Sequence, residues 1–203
     1  MAEAHPFPLA RWLAVVWLAV WVPAYAITWG WANFLLFCDM AVILTCIGLW
    51  GGNRLLLSAQ AVGSVVPDAL WTLDVLWRLA LGRHLFGGTE YMWDAQYALW
   101  IRLLSCFHVI WPVVVVCAVR RVGYDRRAWL AQTGLTAVLM VAARFLDPAK
   151  NMNYAFSEPL FHRTWGPAPV HIAVVLLFIM IVLYWPVHYV LLRTFGARTA
   201  NEK

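Results

Sequence analysis

Apolar runs, cut at intervals by short polar or glycine-bearing breaks, organise the whole chain. A helix that crosses a bilayer needs about 20 predominantly apolar residues. Residues 12–50 exceed that and are divided by the turn-like stretch TWGWAN at 28–33. The pattern therefore predicts span 1 at 12–28 and span 2 at 33–50, joined as a tight helical hairpin. Gly51, Gly52, Asn53 and Arg54 break the chain next. Span 3 follows at 55–77, carrying Pro67, Asp68 and Asp74. Residues 78–96 read as a loop with an interfacial turn near Leu85 and Phe86. Span 4 at 97–118 ends in Arg120 and Arg121, and span 5 at 128–145 is stopped by Asp147 and Pro148. A second long loop, 147–168, leads to span 6 at 169–192 and a basic tail. The fold class is thus an all-α, polytopic transmembrane bundle of six spans in one domain.

Charge orients it. An even number of spans puts both termini and the 2–3 and 4–5 loops on one side, with Arg11, Arg54, Arg120, Arg121, Arg126, Arg127, Arg193, Arg198 and Lys203. The other side has Arg78, Arg83, Arg144, Lys150 and Arg163, with Arg102 near that end of span 4. The richer side faces the cytoplasm, so both ends are expected inside and both long loops outside. Arg11, an apolar stretch and Ala24-Tyr25-Ala26 imitate a cleavable signal peptide. Cleavage would leave five spans, but the chain stays apolar straight after that site.

Composition agrees. The 203 residues are 64% hydrophobic and 12% charged, with a mean hydropathy of +0.71. That is about half the charge of a soluble domain. The net charge of +5 is scattered between apolar runs and forms no basic patch, so lipids, not nucleic acid, are the expected surroundings. The four cysteines, Cys38, Cys46, Cys106 and Cys117, all lie in apolar runs without CxxC spacing, which suits small buried hydrophobes.

An ionisable side chain inside a bilayer costs about 2.5–3.5 kcal/mol on insertion scales, so each needs a reason. Asn33 and Asp39 fall in the outer part of span 2, Asp39 about 9 Å in. Asp74 and Arg78 lie at the outer end of span 3, Asp94 and Arg102 at the outer entry to span 4, Arg144 and Asp147 at the outer end of span 5, and His171 at the outer start of span 6. His108 lies deeper. The cytoplasmic halves read as almost purely apolar apart from His188. Asp74 and Arg78 stand four apart and can pair on a face shared with Trp71. Ser105 and His108 stand three apart, and Pro112 deprives the His108 carbonyl of its helical partner. These spacings predict an outward-opening cavity lined by Asp39, Asp74, Arg78, Ser105 and His108. The plainer alternative is a structural network in which the same Asp, Arg and His clamp helices together.

No metal or cofactor is expected. Zinc needs three or four converging ligands; Asp39, His108 and His171 are the one set left open, and no HxxxH or HExxH spacing supports it. His171 and His188 are about 25 Å apart along one helix, and His108 and His171 differ in depth, which disfavours a haem held by two histidines.

The segments FLLFCDMAVILTCIGLW (34–50), LLSCFHVIWP (103–112), RRVGYDRRAWLAQT (120–133) and DPAKNMNYAF (147–156) resemble a family of uncharacterised bacterial multi-pass membrane proteins. The resemblance covers most of the chain. It rests on a small polar residue before Asp39, a span-4 histidine and the Asp147, Asn151 and Asn153 loop. In arrangement alone, the chain is also similar to the six-span androgen-induced fatty-acid ester hydrolases and their acyltransferase relatives. Those pair a hydroxyl or thiol nucleophile with an intramembrane histidine, which implies Cys38 and His108 here.

Three functions remain open. In an intramembrane lipid hydrolase or acyltransferase, Cys38 or Ser105 would be the nucleophile and His108 the base. Asp39 or Asp74 would orient that base, and Arg78 or Arg102 would hold a lipid phosphate or carboxylate, with Asn33, Asn151 and Asn153 also at the substrate. A small-solute transporter would need internal repeats and polar groups continuing to the other side, and the inner halves read as dry. A non-enzymatic scaffold would contact a protein partner through tryptophans and outer loops.

Overall fold

The computed structural model describes residues 4–196, all-helical apart from turns and connectors. Arg198 and Lys203 of the predicted basic tail lie outside the described residues. The helices are α1 Ala10–Trp29, α2 Phe37–Gly51, α3 Arg54–Leu81, α4 Leu99–Leu104, α5 Phe107–Val122, α6 Ala128–Ala143, α7 Ala168–Ile179 and α8 Trp185–Phe195. They form six helical passes, because α4 and α5 continue one another, as do α7 and α8. Three passes are long and apolar enough to cross a membrane: Ala10–Trp29, Leu99–Val122 and Ala168–Phe195. Phe37–Gly51 and Ala128–Ala143 are apolar but shorter. Large apolar side chains cover the outward faces, among them Ile27, Leu79, Val138 and Phe145. Such a surface is consistent with a membrane protein.

Sequence explains the punctuation. Gly30 ends α1 at φ 83°, a conformation that favours glycine. Gly52 closes the hairpin between α2 and α3 at φ 62°, and Asn53 then caps α3 by accepting from the Leu56 amide at 2.9 Å. The predicted span 4 is one unit with a fault in it. The chain slackens at Ser105 and Cys106, where the amides of His108 and Val109 reach back only three residues. Pro186, lacking an N–H, sits just after the π-helical segment Met180–Tyr184, where the ladder shifts register instead of breaking.

α3 is the central helix, packed against α2, α5, α6 and the π segment. α1 buries only Ala14, Trp21, Ala24 and Tyr25. Trp21 is fully buried and meets Phe34 and Phe107 edge-on, with ring centroids 5.4 and 5.7 Å away. At one end of the bundle His5 reaches the Trp50 carbonyl at 2.8 Å, and Arg54 reaches the carbonyl of Tyr124. There the Tyr124 amide donates to the Phe195 carbonyl, and the Tyr124 hydroxyl meets His188 Nδ1 at 2.8 Å. Both described ends of the chain therefore share this end, called the terminal end below. The long connectors gather at the opposite, connector end.

Candidate functional site

The deepest ionisable pair is Asp68 with His108. His108 Nδ1 lies 2.7 Å from Asp68 Oδ1, and both residues are buried. An ionised carboxylate can only accept, so against it Nδ1 is the donor of this contact. Nε2 has no hydrogen-bond partner among the described residues. The imidazole is clamped between Trp71, 4.6 Å away at 22°, and Phe107, 4.1 Å away at 28°. The local sequence builds this clamp: Asp68, Trp71 and Thr72 are three and four residues apart on α3 and share one face. Thr72 Oγ1 donates to the Asp68 carbonyl at 2.8 Å and reaches the His108 carbonyl at 3.4 Å. The second of these is the carbonyl that Pro112 deprives of its helical partner.

Other polar groups lie beside the pair. Asn33 donates to Asp39, and Cys38 Sγ is 3.8 Å from Asp39 Oδ1. Ser105 Oγ and the Tyr25 hydroxyl are 2.6 Å apart, while Trp71 Nε1 donates to the Tyr91 hydroxyl at 3.2 Å. Cys38 and Asp39 each lie within electrostatic range of Asp68 and of Tyr91. The side chains thus form one cluster, part buried and part half-buried, drawn from α1, α2, α3, α5, the α1–α2 and α4–α5 junctions and the connector at Glu90–Trp93.

Several expectations are corrected. Neither Asp39 nor Asp74 orients His108; Asp68 does. Ser105 does not bond to the His108 ring, because the slack at Ser105 and Cys106 turns its hydroxyl to Tyr25. Cys38 makes no hydrogen bond to His108 either. Asp74 does not pair with Arg78: it caps the connector, accepting from the amides of Leu85, Phe86 and Gly87 at 2.7, 2.6 and 3.2 Å, from Thr89, and from His84 at 2.9 Å. Arg78 instead lies over Trp93 at 5.7 Å, with no carboxylate in ion-pair range among the described residues. Arg102 donates to the Met92 carbonyl at 2.9 Å.

Asn151 and Asn153 shape the second connector. Asn151 accepts from the amides of Phe156 and Ser157, both at 3.0 Å. Asn153 ties that connector to α2, donating to the Leu35 carbonyl at 2.7 Å and accepting from the Phe37 amide at 3.1 Å. Both ring nitrogens of His171 are engaged, with the Trp165 amide and the Tyr154 carbonyl. Among the described residues no three His, Cys, Asp or Glu side chains converge as a metal site would require.

The half of the bundle toward the terminal end is not purely apolar. Thr45, Gln60, Ser64, Gln132 and Thr136 are all buried there. These groups are neutral, so the charge pattern along the chain does not register them. Asp68 was missed as a partner. It stands roughly 14 Å and His108 roughly 17 Å from the connector ends of their predicted spans at 1.5 Å per residue, and that shared depth was the available signal. Tyr25 and Tyr91 left none, since tyrosine is common near membrane boundaries.

Comparison with protein-family models, with curated proteins and with solved structures gives no match.

Proposed function

We propose that this chain is a multi-pass membrane enzyme of lipid acyl chemistry, a hydrolase or acyltransferase whose general base is His108. One observation carries the reading. A buried histidine is held by a carboxylate on Nδ1, clamped by two rings, and left with an Nε2 that bonds to no described residue. A carboxylate fixing the tautomer of a histidine so that its far nitrogen can take a proton is the logic of the hydrolase triads.

Cys38 is the favoured nucleophile, because the Ser105 hydroxyl is tied to Tyr25 whereas the thiol makes only one long contact. Nε2 of His108 accepts the thiol proton, and sulfur attacks the ester carbonyl carbon. The hydroxyls of Tyr25 and Tyr91 supply donors for the developing oxyanion. The C–O bond breaks, and the departing lipid alkoxide takes the proton back from His108. Water, or a second lipid hydroxyl, then gives its proton to Nε2 and attacks the thioester. The acyl group is released, and the thiol regains its proton. Arg78, free of any carboxylate, is the group for a lipid phosphate or carboxylate.

In this reading all six passes cross the bilayer, with both chain ends in the cytoplasm of a bacterial inner membrane and the site nearer the outer face. The support is the arginine-rich terminal end, where Arg54, Arg120, Arg121, Arg126, Arg127 and Arg193 gather. The test is ester turnover by the full chain in liposomes of phosphatidylglycerol and phosphatidylethanolamine, followed by mass spectrometry. Loss of the general base in His108→Ala lowers turnover by about 10²–10⁴-fold. Full activity in that variant would end the proposal.

A further inference from the structure

A second buried site lies in the half of the bundle toward the terminal end, where α2, α3 and α6 meet. Five polar atoms there have no hydrogen-bond partner: Thr45 Oγ1, both amide atoms of Gln60, Ser64 Oγ and Gln132 Oε1. Their residues are 0, 1, 2 and 3% exposed in chain order. They converge for reasons built into the sequence. Gly48 packs on Leu57 across the α2–α3 hairpin, where a Cβ would sit 3.0 Å from the leucine. The same antiparallel register brings Thr45 level with Gln60. Gly63 has no side chain, so Gln132 crosses from α6 onto α3 between Gln60 and Ser64; a Cβ at Gly63 would lie 2.3 Å from its amide nitrogen. Gln60, Ser64 and Asp68 are each four residues apart, so they follow one another along one side of α3.

Folded proteins leave few buried polar atoms unpaired. Bound water resolves such a cluster, since a buried water makes about three hydrogen bonds and needs polar neighbours on several sides. The groups are neutral and offer both donors and acceptors, which suits water better than an anion. A groove of about 270 Å³, apolar apart from Asn53 and Gln60 in its wall, runs beside this layer.

We infer that Thr45, Gln60, Ser64 and Gln132 hold a file of water molecules running from Asn53 to Asp68, through which the Asp68–His108 pair exchanges protons with the terminal end of the bundle. The inference is independent of whether His108 performs acyl chemistry.

The chain contains three glutamines, Gln60, Gln96 and Gln132, and Gln96 is exposed. Side-chain ¹⁵N labelling of glutamine in the full chain in phospholipid nanodiscs therefore gives three amide signals with a built-in positive control. Solid-state NMR transfer of magnetisation from water reaches all three; transfer to Gln96 alone shows a dry cluster and overturns the inference. The route is tested by Ser64→Val. In that variant exchange of the His108 Nδ1 proton with water slows at least about tenfold, as expected when a hydrogen-bonded relay is cut, while Gln60 stays wet. Unchanged exchange in a folded Ser64→Val protein overturns the route. The wild-type measurement stands alone if that variant does not fold.

Discussion

A histidine pressed between Trp71 and Phe107, with its Nδ1 on Asp68, cannot turn away from its neighbours. That restraint makes the two polar partners separable by experiment. Asp68→Asn keeps the shape but can offer Nδ1 an N–H in place of an acceptor, so the imidazole is free to change tautomer. Turnover should fall by at least about 10²-fold, in the range assigned to a positioned proton-transfer group, while the thermal unfolding midpoint moves little. Trp21→Ala should do the opposite. Removing this fully buried ring should cost about 3–5 kcal/mol of stability, read by unfolding in mixed micelles, because Phe34 and Phe107 lose their edge contacts. At this scale the sequence was legible where a charge stood in an apolar run: His108 and Asp39 were recognisable at once. It was not legible where the partner depended on packing. Asp74 and Arg78 had the right spacing to pair, yet three backbone amides and Thr89 compete for Asp74 and win.

Helix positions were largely readable, because apolar length and glycine punctuation set them. The predicted spans at 12–28, 55–77 and 169–192 correspond to Ala10–Trp29, Arg54–Leu81 and Ala168–Phe195. The slack at Ser105 and the π segment were not readable, since each is a local shift in the hydrogen-bond ladder that leaves the apolar pattern unchanged. The contact between α3 and α6 can be tested at Gly63. Gly63→Ala places a methyl 2.3 Å from the Gln132 amide and should destabilise the bundle by about 1–3 kcal/mol, the usual cost of overpacking. Gly63→Ala combined with Gln132→Ala should recover much of that loss.

The connector at 158–163 has a pH signature. Burial pushes the Glu158 carboxyl up, but the amides of Phe161, Arg163 and Leu160 outweigh it and hold the group below the usual glutamate range. A carboxylate with a depressed folded-state pKa supports the turn at neutral pH and loses that support as the pH falls through the depressed value. The midpoint of the pH-dependent NMR shift of the Phe161 amide should therefore lie below about 4.3, the ordinary glutamate value. A midpoint at or above that value would contradict the arrangement.

As a whole the molecule is a helical bundle with two kinds of polarity. Charged and aromatic groups surround the Asp68–His108 pair, and neutral amides and hydroxyls continue toward the terminal end. Apolar patterning revealed the bundle, while the joining of the two polar regions through α3 depended on which face that central helix turned inward. The proposed orientation predicts that a membrane-impermeant maleimide, applied to intact cells, labels a cysteine introduced as Gly88→Cys and spares one introduced as Arg126→Cys. The account depends most on His108 acting through Asp68 upon an acyl ester. The direct measurement is the release of p-nitrophenolate from a short-chain p-nitrophenyl ester by the purified full chain, with intact-mass detection of acyl-enzyme. The account predicts a burst stoichiometric with protein and an acyl adduct on Cys38, both lost in His108→Gln and strongly reduced in Asp68→Asn. A burst of wild-type size in a folded His108→Gln protein would contradict it.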